Sequence, residues 1–165
     1  MSECLNFIFE NQRRATDSTF PLLCEKHLGR KPFVDSLRDD QRFKTWRVPN
    51  GNYKLAVTIL GDISMVETSY DWDFLWEESE RNLYLNLADD LGRLFSSSIA
   101  VLAPSGLVIG PTELILLNFE NGLESALKNF FGETKPLNSS TLTEPERHST
   151  ERRIALIYHP NFSPD

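Results

Sequence analysis

Thr45-Trp46-Arg47-Val48-Pro49-Asn50-Gly51-Asn52-Tyr53-Lys54-Leu55-Ala56-Val57-Thr58-Ile59 is the stretch whose reading decides the fold. Trp46, Val48, Tyr53, Leu55, Val57 and Ile59 alternate with Thr45, Arg47, Lys54, Ala56 and Thr58. That period of two puts successive side chains on opposite sides of a strand. Pro49-Asn50-Gly51-Asn52 stands between the two halves, where Asn and Gly supply the positive backbone angles a tight turn needs. A β-hairpin follows. Val48 is expected opposite Tyr53 and Trp46 opposite Leu55, so that turn and register agree on one apolar face.

Toward the N-terminus the first quarter reads as helical, because Leu5, Ile8, Phe9 and Gln12 recur at helical spacing. A second short helix is expected from Ser18, a cap, through Leu22, Leu23 and Lys26 to Gly29, a natural stop. Pro32 at a first-turn position then opens a third, from Phe33 to about Arg42, with Phe33 and Leu37 on one face.

Beyond Gly61 the pattern returns to helix. Trp72, Leu75, Trp76 and Ser79 share a side of a segment opened by Ser69 or Asp71, with a break near Ser79. Leu83, Leu87, Leu91 and Leu94 continue it, flanked by Tyr84, Ala88 and Phe95. The spacing of four outlasts the alternation Leu83, Leu85, Leu87 that would make a strand. Ser98 to Ala103, Pro104-Ser105-Gly106 and Leu107 to Ile109 read as a second, shorter hairpin. From Pro111 to Gly132 one helix through Leu116, Phe119, Leu123, Leu127 and Phe130 is favoured over a strand at 114–119 followed by a turn at Asn121-Gly122.

Residues 133–150 fill with Ser, Thr, Pro and charges and are expected as a mobile loop, and 159–165 as a tail. Between them Ile154-Ala155-Leu156-Ile157, inside Arg153 to Tyr158, suits a strand buried on both faces. The expected fold is therefore α+β, a single domain with a small, mostly antiparallel sheet built from hairpins and helices packed on it.

With 165 residues, 40% of them apolar, the chain can bury one core of ordinary size. No repeat of 20 to 50 residues is visible, which sets aside solenoids and propellers. Met1 to Arg14 lacks the basic start and apolar run of a secretory signal, and no stretch approaches the length of a membrane span. Two cysteines, Cys4 and Cys24, make no disulfide framework, so a cytoplasmic protein away from membranes is the expectation.

The net charge of −7 is unevenly spread. Residues 1–55 carry +3, residues 56–110 carry −7 and residues 111–165 carry −3. Within the middle third, Asp62 to Asp90 holds nine acids against Arg81 alone, while Lys26 to Lys54 holds eight bases and three acids. Repulsion from phosphates opposes general nucleic-acid binding, and a dipolar surface favours an oppositely charged protein partner.

Familiar catalytic chemistry is missing. Gly51, Gly61, Gly92, Gly106 and Gly110 never form a phosphate-binding loop, so no nucleotide cofactor is expected. Among His27, His148, His159 and the two cysteines, only Cys24-x-x-His27 has metal-like spacing, two ligands short of a structural zinc. Asp71-x-Asp73 offers too few oxygens for a hard cation, and Pro104-Ser105-Gly106 reads as a hairpin tip, not a nucleophile's turn. Neither a metal nor a catalytic residue is assigned.

One constellation stands out, Tyr70-Asp71-Trp72-Asp73-Phe74-Leu75-Trp76-Glu77-Glu78-Ser79-Glu80. On a helix, Asp73, Glu77 and Glu80 share a face beside Trp72 and Trp76. The ordinary reading is an amphipathic helix with its aromatics in the core. The sharper one is a partner-binding surface made by Asp71, Trp72, Asp73, Trp76, Glu77 and Glu80, aromatic anchors ringed by charge. Carboxylates a turn apart, about 5–6 Å, would imitate a run of phosphates. The function expected from this is non-enzymatic: an acidic inhibitor or immunity-type protein that binds a basic partner. A secretion chaperone or assembly adaptor acting as a dimer is the alternative, and a small enzyme whose site is scattered along the chain is a third class.

Overall fold

The computed structural model describes residues 4–11, 18–35, 44–50, 53–104, 121–131, 133–137 and 154–162. Eight strands form one sheet: β1 (Cys4–Glu10), β2 (Phe33–Val34), β3 (Thr45–Asn50), β4 (Tyr53–Leu60), β5 (Ile63–Asp71), β6 (Ala100–Pro104), β7 (Glu133–Pro136) and β8 (Ile154–Tyr158). Their order is β2-β3-β4-β5-β1-β6-β8-β7, antiparallel throughout except for the parallel pair β7 and β8. Among the described residues three α-helices accompany the sheet, α1 (Phe20–Leu28), α2 (Glu78–Phe95) and α3 (Leu123–Phe131). The α+β class holds, with a sheet larger than expected. No helix among the described residues is long and apolar enough to cross a membrane.

The N-terminal segment is a strand, not a helix, and it is central. Leu5, Phe7 and Phe9 face a core shared with Phe20, Cys24, Leu91 and Phe95 of α1 and α2, while Ile8 faces a second core with Leu123 and Leu127 of α3. A strand covered on both faces loses its polar half, and Leu-Asn-Phe-Ile-Phe then imitates helical spacing. Around Phe9 the aromatics lock together: its ring lies 5.4 Å from Phe95, and Phe20 lies 5.5 Å from Trp46.

The expected hairpin is β3–β4, but its register moves by two. Val48 faces Leu55, Trp46 faces Val57 and Asn50 faces Tyr53. Strand pairing thus continues to within two residues of closure, the loop length hairpins favour. A shift of two leaves every side chain on its own face, so Trp46, Val48, Leu55 and Val57 still share the first core. Pro49, without an N–H, is tolerated because β2 flanks β3 only at Trp46 and Arg47.

Three more segments are strands where other structure was expected. Phe33 and Val34 add to β3 instead of opening a helix, held where Arg47 Nε donates to Asp35 Oδ2 at 2.8 Å. Residues 63–71 form β5 between β4 and β1, entered through a turn in which Gly61 has φ 68°. Residues 133–136, expected to begin a loop, pair with β8 at the sheet edge, where Lys135 and Pro136 suit a rim position.

Other readings fare better. α1 ends at Gly29 in the left-handed conformation (φ 63°), although its cap position is Thr19, not Ser18. α2 is helical through Leu83, Leu85 and Leu87, burying Tyr84, Leu87, Ala88, Leu91, Leu94 and Phe95. α3 keeps Leu123 and Leu127 inside and follows a turn at Asn121-Gly122, so each half of the two-way reading there holds in part. β6 and β8 are strands, with Leu156 turned to the first core and Ala155 and Ile157 to the second. The expected elements at 36–42, 105–109, 111–120 and 138–150 lie outside the described residues.

Candidate functional site

The acidic and aromatic constellation begins as the last two residues of a strand. Cys4 pairs with Asp71, which extends β5 as far as that carboxylate. Asp71 Oδ1 then accepts the N–H of Asp73 at 2.9 Å and starts a short 3-10 helix, Trp72–Trp76. Its Leu75 is buried, and the rings of Trp72 and Trp76 meet edge to face 5.6 Å apart against the first core. Glu77 is extended, with φ −101° and ψ 119°, and only at Glu78 does α2 start. Arg81 Nε, donating to the Leu75 carbonyl at 2.6 Å, braces this corner.

The α-helix expected from Ser69 or Asp71 is therefore a short 3-10 turn, its expected break near Ser79 falls at Glu77, and the row of carboxylates is absent. Asp73 sits in the 3-10 turn, Glu77 in the extended link and Glu80 in the first turn of α2. The cause lies outside the segment: Tyr84, Leu87, Leu91 and Phe95 are buried in the first core, which brings α2 back over the end of β5, where Tyr84 donates its hydroxyl to the Asp71 carbonyl at 3.1 Å. A straight helix would carry Tyr84 away. Nor does the acidic segment make one patch. Asp62 and Asp71 flank the ends of β5, about 30 Å apart at the usual rise per residue, and Asp89 is occupied by two donors, the Tyr158 hydroxyl and the Asn161 N–H, each at 2.7 Å.

The fold-back does create a concavity. Asn50 from the β3–β4 hairpin, Ser69, Tyr70 and Asp71 from β5, Phe74, and Glu80, Leu83, Tyr84, Asn86, Leu87 and Asp90 from α2 line a cleft of about 430 Å³. Among its lining residues the Tyr70 and Tyr84 rings stack 5.0 Å apart, and Asn50 Nδ2 donates to the Tyr70 hydroxyl. Phe74 and Leu83, 39% and 61% exposed, stand as large apolar groups open to solvent among its lining residues. Three carboxylates line it, and among the described lining residues there is no lysine or arginine.

The electrostatics follow from burial and like charge. The Tyr84 hydroxyl is pushed far above its ordinary range, first by burial and then by the nearby Glu80 and Asp71. The Asp90 carboxyl is also raised, by burial first and by Asp89, against the opposing pull of Arg93 at 3.4 Å. Asp71 and Glu80 enter no ion pair among the described residues.

Of the six residues expected to bind a partner, Asp71 and Glu80 line the cleft. Trp72 and Trp76 pack against the core, and Asp73 and Glu77 lie outside the lining. Sequence reasoning missed Asn50, Tyr70, Tyr84, Asn86 and Asp90. One signal is present in the sequence: Glu80, Leu83, Tyr84, Leu87 and Asp90 recur at helical spacing, but the pattern sets Leu83 and Leu87 alike on the apolar stripe, and only Leu87 is buried. Asn50 carried no such signal.

The Cys24-x-x-His27 pair divides as a buried thiol and a half-buried imidazole, and no group of three or more potential metal ligands gathers among the described residues. Burial pushes the Cys24 thiol up from 9.0 to about 12. A thiol reagent such as dithionitrobenzoate is accordingly expected to leave Cys24 unmodified in the folded chain at neutral pH and to label it on unfolding; fast labelling of the native protein at Cys24 contradicts the packing. The pH dependence has a definite sign. Cys24, Tyr84 and Tyr158 all keep in the folded state protons that the unfolded chain releases from about pH 9 upward, so the unfolded state then binds fewer protons. Stability is expected to be retained below about pH 9 and to fall as pH rises above it, seen as a lower urea midpoint at about pH 10.5 than at about pH 8.

A second concavity, of about 440 Å³, opens at the start of α3, where Glu10 Oε2 accepts the Leu123 N–H at 3.5 Å. Its lining mixes Glu10 and Glu124 with Lys128 and His159, and it lacks a dominant charge. Comparison with known proteins finds no family model, no curated protein and no solved structure that matches the chain.

Proposed function

We propose that the chain is a non-enzymatic protein-binding domain, most concretely an acidic inhibitor or immunity-type protein that captures a basic partner through the face around the α2 cleft. The observation that carries this reading is the pairing of exposed Phe74 and Leu83 with Asp71, Glu80 and Asp90 in one concavity. Apolar anchors supply affinity once water is excluded, and surrounding like charges steer an oppositely charged partner and reject others.

The test begins with co-purification from the native host, identification of the partner and reconstitution with the purified partner. A basic protein is expected. Replacing Asp73, Glu77 and Glu80 together with lysine is expected to weaken its binding about tenfold or more, since each reversal opposes steering. Folding is expected to survive, because reversing Glu80 in the first turn of α2 costs only about 0.3–1 kcal/mol, and Asp73 in the 3-10 turn and Glu77 in the extended link are not buried. Unchanged affinity in a folded triple variant would sink the reading.

A further inference from the structure

We infer that the α2 cleft is a socket for one arginine side chain of the basic partner, an inference that rests on the reading just given and specifies its contact. Size is the first argument. At about 430 Å³ the cleft stands near the lower end of the range for small-ligand sites, room for one long side chain and its flanking backbone but not for a folded element. Composition is the second. A long apolar stem that ends in a cation needs apolar wall and negative charge side by side, and the lining offers Phe74 and Leu83 beside Asp71, Glu80 and Asp90.

The choice of arginine over lysine comes from shape and donor count. A guanidinium is flat, presents five N–H donors in a fixed fork and stacks on aromatic faces. Phe74, 39% exposed, offers such a face, and the side-chain carbonyl oxygens of Asn50 and Asn86 add acceptors to the carboxylates. Lysine's compact, strongly hydrated ammonium would leave several of these acceptors unmatched. Asp90, its side chain 48% exposed, already meets Arg93 Nη1 at 3.4 Å, so an incoming guanidinium shares that carboxylate and finds Asp71 and Glu80 in no ion pair among the described residues.

The experiment titrates the full, isotope-labelled chain with acetyl-Gly-Arg-Gly-amide, acetyl-Gly-Lys-Gly-amide and spermidine, following backbone amide shifts. Saturable shifts confined to Asn50, Ser69 to Asp71 and Glu80 to Asp90 are expected with the arginine peptide, and several-fold weaker binding with the other two. The double variant Glu80→Gln and Asp90→Asn, which keeps size and shape, is expected to lose about tenfold or more of the arginine-peptide affinity. Its thermal melt serves as the check on folding. Non-saturating shifts spread over the acidic surface overturn the inference, as does unchanged affinity in the folded double variant or equal binding of the lysine peptide or spermidine. If the peptide fails while the triple lysine variant still loses the partner, only the socket is wrong. If the peptide binds in the cleft while partner capture ignores the triple reversal, the socket stands and the inhibitor reading falls.

Discussion

Phe7→Ala is expected to cost about 3–5 kcal/mol of stability, a large part of the total of an ordinary domain. Phe7 is fully buried in the central strand, its ring 6.1 Å from Phe9, and its removal opens a hole that a strand flanked by β5 and β6 cannot collapse to fill. The position also separates the two readings of the N-terminus. On the helix expected from Leu5, Ile8, Phe9 and Gln12, Phe7 would point away from the apolar stripe, and alanine there would change little. In the strand it shares a face with Leu5 and Phe9. Urea denaturation decides between them: a large drop in midpoint at unchanged slope is the expected result, and a change under about 0.5 kcal/mol contradicts the strand. Phe33→Ala, at a position 45% exposed on the edge strand, is the matched control and should cost far less.

Gly92→Ala is expected to destabilise the protein by about 1–3 kcal/mol, against the usual sign for a helix interior. Alanine is the better helix former by up to about 1 kcal/mol, so on propensity alone the change should help. Here a methyl group would fall against Cβ of Pro160, 2.7 Å from its Cγ and 3.4 Å from the Ser97 carbonyl oxygen. The ring is tied to the backbone and cannot swing aside as a flexible side chain could. Neither can the segment lift without loss, because Asp89 Oδ1 accepts from both the Tyr158 hydroxyl and the Asn161 N–H, and the His159 ring lies 3.0 Å from the Ser98 carbonyl. Pro160→Gly removes the obstructing ring atoms. In that background Gly92→Ala is expected to become neutral or stabilising, and the double-mutant cycle reads the coupling directly. If the two changes simply add, the close approach does not limit the helix.

These two positions show where sequence reasoning succeeds and fails. The β3–β4 hairpin was legible because one of its faces alternates cleanly, and even a wrong loop length left the faces right, since the register slipped by two and not by one. α2 was legible because its stripe runs far enough to outvote a competing period. β8 was legible from Ile154-Ala155-Leu156-Ile157, too short and too branched for much else. β1 was not, because burial on both faces removes the alternation that identifies a strand. β5 was hidden by its neighbour: the strong aromatic signal at Trp72 to Trp76 drew the expected helix start back across residues whose partners lie in β1 and β4. At the candidate site, the segment and two of its lining carboxylates were visible in advance, while its geometry depended on α2 packing into the first core, where Tyr84 meets Asp71 across thirteen residues.

The sequence by itself determined the properties that depend on near neighbours: two faces of a hairpin, an amphipathic helix with its stop signals, a doubly buried last strand, and a concentration of acids between Asp62 and Asp90. Only the tertiary structure decided which segments serve the sheet as strands and which acids meet. Pairing partners for β1 and β7, and the β1 side of β5, lie far away in the chain, so no local period encodes them. The same holds for charge: a run of carboxylates along the sequence says nothing of distance in space, and the fold sends Asp62 to one end of a strand while bringing Asp71, Glu80 and Asp90 to a single cleft with Asn50.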